Sequence, residues 1–189
     1  MKASHNSATG EKPNDLISFL LTPFVMTQSK TIEEQVESGV SYFDLRLRKN
    51  GYKKWIFASG LWESYPYIDY SFHILSKNLA YVDLTYDCLI YSKRIEKCFV
   101  KKVIELKNIY PGIQIVNVSI NPFFGKTINI NNRFSDQILT PMMYEVEDNY
   151  TKLDLSNWKS IIPIPKFWDS VENRVVEYSS NKFEFLDFI

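Results

Sequence analysis

The sequence predicts an α/β domain built on a sheet that is at least partly parallel, and two observations carry that prediction. Segments with helical and strand periodicity alternate from Thr31 to Ile120, the pattern of strands joined by helical crossovers. The composition, with 45% hydrophobic and 15% aromatic residues in a chain of 189, is enough for a real core and sets the scale at one domain, or one domain with an arm.

Gln28 to Gly60 is the most ordered stretch in pattern. Thr31 followed three residues later by Glu34 is a capping box, and Ile32, Gln35 and Val36 recur at helical spacing before Gly39 closes the helix. Val40 to Leu47 alternates, so Val40, Tyr42, Asp44 and Arg46 share one strand face and Ser41, Phe43, Leu45 and Leu47 the other. An acid and a base thus stand two residues apart on one rigid face. Asn50-Gly51 is a two-residue hairpin signal before the strand Lys53 to Ser59. A hairpin and a parallel crossover compete as readings of this step.

Upstream, Asp15 to Met26 predicts a short helix, capped by Asp15, with Leu16, Phe19, Leu20 and Phe24 along one side. Downstream, Trp62 to Tyr70 is aromatic and turn-like, and Tyr70 to Leu79 is a helix in which His73 sits among apolar neighbours. Leu79 to Tyr86 alternates as a strand. Ser92 to Tyr110 is the longest helix: Ile95, Phe99, Val103 and Leu106 line its core side, and Lys93, Lys97, Lys101, Lys102 and Lys107 project outward. Ile113 to Ile120 is a further strand, with Gln114, Val116, Val118 and Ile120 expected on one face. After Asn121 the composition shifts to a loop and an Asn-rich run. Gly125-Lys126-Thr127 lacks the earlier glycine of a phosphate loop. Val171 to Phe188 alternates as a late strand pair or edge strand.

Several short motifs in order carry a family resemblance: Ser4-His5-Asn6-Ser7, then Thr31-Ile32-Glu33-Glu34-Gln35, then Phe43-Asp44-Leu45-Arg46, then Ser59-Gly60. Together they resemble the N-terminal half of the phosphatidylinositol-specific phospholipase C X-domain family. The likeness is close from Ala3 to Gly60, continues more weakly to Ile120, and divides the chain into an X-domain-like region (1–120) and a divergent C-terminal part of the same domain (121–189). It implies a TIM-barrel-like, PLC-like phosphodiesterase fold. A full eight-stranded barrel takes about 250 residues, so the chain predicts a reduced or distorted barrel. About five or six staves are expected, the first stunted because only Met1 to Ala3 remain to build it.

The resemblance also implies chemistry. In the family a first His deprotonates the inositol 2-hydroxyl, which attacks phosphorus, and a second His protonates the leaving oxygen. His5 matches the general base, Asn6 the polar residue after it, and Asp44 and Arg46 the strand pair that orients the base and stabilises the phosphorane. The second His should precede Gly60, where this chain has Ser59. A Ser hydroxyl is not a proton donor near neutrality, and general acid catalysis contributes about two to four decades in rate. The strand position matching a substrate-binding Lys in bacterial members falls nearest Thr85. Two functions follow: a non-catalytic or degenerate protein serving as a structural or interaction component of a larger assembly, or a phosphoinositide-type phosphodiesterase cleaving by internal cyclisation. The loss of the second His tilts toward the first.

Charge and cysteine usage narrow the partners. With 22 basic and 22 acidic residues the chain offers no global attraction to nucleic acid, and its neutrality favours self-association or assembly with protein. A phosphoinositide or other phosphodiester ligand fits the family motifs. Cys88 and Cys98 lack zinc spacing and read as free thiols. No cofactor is expected, and calcium is excluded by expectation because Arg46 places a fixed positive charge where calcium would sit. Leu16 to Met26 is too short to span a bilayer. With no apolar leader in Met1 to Pro13, the chain is read as cytoplasmic.

Overall fold

The computed structural model describes residues 2–4, 7–65, 67–140, 146–147, 174–178 and 181–186. His5 and Asn6 lie outside the described residues.

Ten strands and four α-helices are described. The strands are β1 (Lys2–Ser4), β2 (Val40–Lys49), β3 (Trp55–Ser59), β4 (Trp62–Glu63), β5 (Tyr81–Cys88), β6 (Gln114–Pro122), β7 (Ile128–Asn129), β8 (Val146–Glu147), β9 (Arg174–Tyr178) and β10 (Asn181–Leu186). The helices are α1 (Leu16–Val25), α2 (Ile32–Glu37), α3 (Ile68–Lys77) and α4 (Lys93–Ile109). The main sheet runs β7-β6-β5-β2-β1-β10-β9-β8, with β3 branching from β2 and β4 pairing β3. β1, β2, β5, β6 and β10 pair in parallel where they meet.

The mixed α/β class and parallel core therefore match the expectation. The reduced or distorted barrel expected from the resemblance is not what forms: among the described residues the sheet is open, with β7 and β8 at its two ends. The late strand pair expected from Val171 to Phe188 is present as β9 and β10, and it docks beside β1. Between β2 and β3 the hairpin wins over the crossover. The strands are antiparallel, Leu47 opposite Phe57, and the Asn50 side chain accepts the amides of Tyr52 and Lys54 to hold the turn.

The capping box at α2 forms as the sequence implies: Thr31 Oγ1 accepts the Glu34 amide and the Glu34 carboxylate accepts the Thr31 amide. Gly39 takes φ +86, the left-handed turn that lets the chain enter β2.

Alternation in β2 is what separates the two sides of the sheet. Phe43, Leu45 and Leu47 share a face with Val82 and Leu84 of β5 and Val118 and Ile120 of β6, all fully buried. The ring contacts Phe57–Phe72, Trp55–Phe99 and Tyr86–Phe99 bind this apolar side to α3 and α4. The opposite face is polar. Tyr42 Oη donates to Asp83 Oδ1 (3.0 Å), Thr85 and Ser119 hydroxyls meet at 2.9 Å, and Asn121 donates to Asp87 Oδ1 (3.0 Å).

Three sequence expectations change. The register of β6 against β5 slips between Val82 and Asp83, so Val116 is the extra residue of a bulge. After it Asn117, Ser119 and Asn121 pair with Asp83, Thr85 and Asp87, and Gln114 no longer shares a face with Val118 and Ile120. On α4, Lys102 is buried against Glu105 (2.7 Å), with its ammonium 6.0 Å from the Trp55 ring, and Lys107 turns in to donate to the Pro111 and Ile113 carbonyls. Burial lowers the Lys107 ammonium from its ordinary range. On α1 the side lined by Leu16, Phe19, Leu20 and Phe24 faces outward, and the one fully buried residue of the helix is Ser18. No described helix is long and apolar enough to cross a membrane.

Candidate functional site

The polar face of the sheet opens where β2, β5 and β6 end together, and the side chains there follow from register alone. Asp44 and Arg46 of β2 stand beside Asp83 and Thr85 of β5. Continuing the same alternation upward brings Arg48 level with Asp87, which pairs with Asn121 of β6. At this end of the face lies a cavity of about 180 Å³ lined by Arg46, Arg48, Gly60, Asp87, Cys88, Leu89, Asn121 and Phe123.

Each charge in this site meets a partner from the same chain. Arg46 Nη2 lies 3.7 Å from Asp44 Oδ2, and the Arg46 side chain remains 26% exposed. Arg48 donates to the Gly60 carbonyl (2.7 Å) and the Trp62 carbonyl (3.3 Å), and its Nη2 lies 3.4 Å from Glu63 Oε1. Asp87, only 4% exposed, accepts the Gly60 amide through Oδ2 (3.0 Å) and the Asn121 amide through Oδ1 (3.0 Å). Gly60 serves both sides of this arrangement. Its φ of +59 turns the β3–β4 corner so that its N–H meets Asp87 and its carbonyl meets Arg48. Burial and the neighbouring Asp87 charge push the Cys88 thiol up, so it remains protonated and poorly nucleophilic.

The structure brings Asp44 and Arg46 together as their spacing predicts. Ser59 is buried at the end of β3, opposite Trp62, and the cavity wall is formed by the residue after it. Ser4, which ends β1, pairs in register with Phe43, and Ser7 returns a hydrogen bond to the Ser4 carbonyl (2.8 Å). Thr85 lies one pair below the cavity, bonded to Ser119, so the β5 residue that reaches the site is the acid Asp87. His73 is exposed on α3.

Arg48, Asp87 and Asn121 escape the sequence reading for one reason. The β2 alternation is read as far as Leu47, one residue short of Arg48, and only the strand register shows which β5 and β6 residues stand beside that end of the strand.

Because the Asp44–Arg46 contact is long and the Arg46 side chain is partly exposed, the large cost of breaking a buried pair does not apply. Arg46→Ala is expected to lower stability by about 1 kcal/mol or less, a melting shift of about 2–4 °C in a domain of this size. A drop of more than about 10 °C in thermal unfolding would mean the pair is sealed from water.

No protein-family model matches the chain, and no curated protein does. Solved structures are similar: the phosphatidylinositol-specific phospholipase C from Listeria monocytogenes, at 16% identity and a TM-score of 0.45, over 65% of this chain and 50% of that one. A second is a phosphatidylinositol-specific phospholipase C of S. aureus studied for modulation of its membrane binding, at 17% identity and a TM-score of 0.45, over 65% of this chain and 47% of that one. The chain thus spans about half the length of the phospholipase structures to which it is distantly similar.

Proposed function

We propose that this chain is a catalytically degenerate relative of the PLC X-domain proteins that works as an interaction component of a larger assembly. The observation that carries the reading is the self-closure of the candidate site. Arg46 faces Asp44, Arg48 is engaged by Gly60, Trp62 and Glu63, and the Asp87 carboxylate stands where an anionic ligand would need positive charge. Ser59 adds to it, since a hydroxyl there supplies no general acid. The surroundings favour contact over chemistry. Leu61, Leu89, Ile90, Phe123 and Phe124 are exposed about the site, and α1 turns Leu16, Ile17, Phe19, Leu20 and Phe24 outward without a charged residue along its length.

The alternative, a phosphodiesterase acting by internal cyclisation, is favoured by Arg46, which lines the cavity with part of its guanidinium open to it. Two substrates separate the readings. An inositol phosphate ester of 4-nitrophenol needs no protonation of its leaving group, whereas a natural lipid substrate does. Neither the native chain nor Ser59→His is expected to turn over either one. Nitrophenolate release that disappears in His5→Ala would overturn the non-catalytic reading. So would a gain of about two to four decades on the lipid substrate in Ser59→His, the contribution of a restored general acid.

A further inference from the structure

We propose that the outer groove along α4 is a docking site for an acidic peptide segment that presents two apolar side chains one helical turn apart. The groove encloses about 500 Å³ and lies between one side of α4 and Arg133. Helical spacing puts Lys93, Lys97 and Lys101 on successive turns, and Val100 and Ile104, also one turn apart, line the groove among them. Ile104 is 37% exposed, although the adjacent line of the same helix, Phe99, Val103 and Leu106, is fully buried. The helix therefore carries a second apolar line, in which Val100 rests half-buried against the edge of the core and Ile104 opens to the groove.

Charge decides what the second line fits. Four cations line the groove against one carboxylate, Glu96, leaving a surplus of three positive charges in a chain whose formal net charge is zero. Glu96 is already committed: Arg133 Nε donates to it at 2.9 Å and the Tyr91 hydroxyl donates to its other oxygen. The Tyr91 bond holds that carboxyl below the usual range, so it stays ionised and pins Arg133 to the groove wall. Among the described residues no ion pair engages Lys93, Lys97 or Lys101.

A concave cationic channel with aliphatic side chains between the charges matches an amphipathic acidic helix. A nucleic acid would find no aromatic stacking platform among the lining residues, and its sugar-phosphate backbone gains nothing from Val100 and Ile104. The site lies on the helix that covers the apolar face of the sheet, away from the polar face that carries Asp44 and Arg46. It therefore stands or falls independently of whether the chain is an enzyme.

The test is fluorescence anisotropy of the full chain with a fluorescein-labelled synthetic helix of about 14 residues, long enough to follow the roughly 16 Å from Lys93 to Ile104 at about 1.5 Å per residue. Its sequence is rich in Glu and carries two Leu four residues apart. Polyglutamate, the same peptide with both Leu replaced by Ser, a single-stranded oligonucleotide and phosphatidylserine vesicles serve as competitors. The Leu peptide is expected to bind about tenfold or more tightly than its Ser counterpart. Lys97→Glu and Ile104→Ser should each weaken it about tenfold or more, with unchanged circular dichroism and melting. Absence of peptide binding would overturn the proposal, as would equal binding of the Leu and Ser peptides. More effective competition by the oligonucleotide or the vesicles than by the unlabelled Leu peptide would reassign the groove to that partner.

Discussion

Asp87→Asn is expected to raise the affinity of the cavity for a phosphate ester about ten- to a hundredfold. Asp87 shares its cavity with Arg46 and Arg48 and is almost wholly buried there. At a separation of about 6–8 Å and an effective dielectric near 20, one unit charge opposes an anion by about 2–3 kcal/mol. Water at the cavity mouth reduces this, which leaves one to two decades as the realistic range, roughly 1.4 kcal/mol for each. The amide is close to isosteric and keeps one acceptor, for the Gly60 N–H, so the corner at Gly60 should survive although the bond from the Asn121 side chain is given up. Calorimetric titration with inositol 1-phosphate checks the gain, and Arg46→Ala in the Asp87→Asn background should remove it. An affinity unmoved by Asp87→Asn would mean that the carboxylate does not close the site.

The largest stability effect is expected at Trp62. It is 1% exposed on β4, and its indole N–H donates to Thr22 Oγ1 of α1 at 3.2 Å. The Glu63 amide donates to Ser18 Oγ (3.0 Å), and the Asn14 amide to the Glu63 carbonyl (2.8 Å), so β4 is the anchor on which α1 rests. Trp62→Ala removes the buried ring and leaves a cavity, a change that typically costs about 3–5 kcal/mol. At about 2–4 °C per kcal/mol for a domain of this size, the melting temperature should fall by about 6–20 °C. Chymotrypsin should then cut within α1, at Phe19 or Phe24, under conditions in which the native chain is intact. A melting temperature unchanged by Trp62→Ala would show that the surroundings collapse into the space.

The parts of the fold that were legible in the sequence are those governed by near neighbours. Thr31 and Glu34 announce their capping box because both partners lie within one helical turn. Asn50 signals a hairpin through a side chain that bonds within its own loop, although the sequence left a crossover open and the loop, residues 50–54, is longer than a two-residue turn. Asp44 and Arg46 share a face because alternation is a property of a single strand. What escaped depends on pairing between strands or on which surface a face meets. The bulge at Val116 exchanges the faces of β6, and nothing in its own sequence marks it. The apolar side of α1 looks like a core face in pattern alone, yet only Ser18 of that helix is fully buried. Lys102 looks solvated until Glu105 and the Trp55 ring are placed beside it.

The seam at β1 has a consequence for how the chain assembles. Strands β2, β5 and β6 are joined by helices that lie between them in sequence, so each pairing closes a loop of modest length as the chain emerges during synthesis. β1 must instead pair on its far side with β10, setting Lys2 against Glu184 and Ser4 against Leu186. Vectorial synthesis therefore leaves the second edge of β1 without its neighbour until β10 has left the ribosome, while the three-strand core can already be formed. Long-range closures of this kind slow folding relative to local ones. During that interval the far edge of β1 presents unpaired backbone groups to whatever strand arrives first. The same geometry makes the order of synthesis matter: moving β9 and β10 ahead of β1 by circular permutation would turn the slowest closure into one of the earliest.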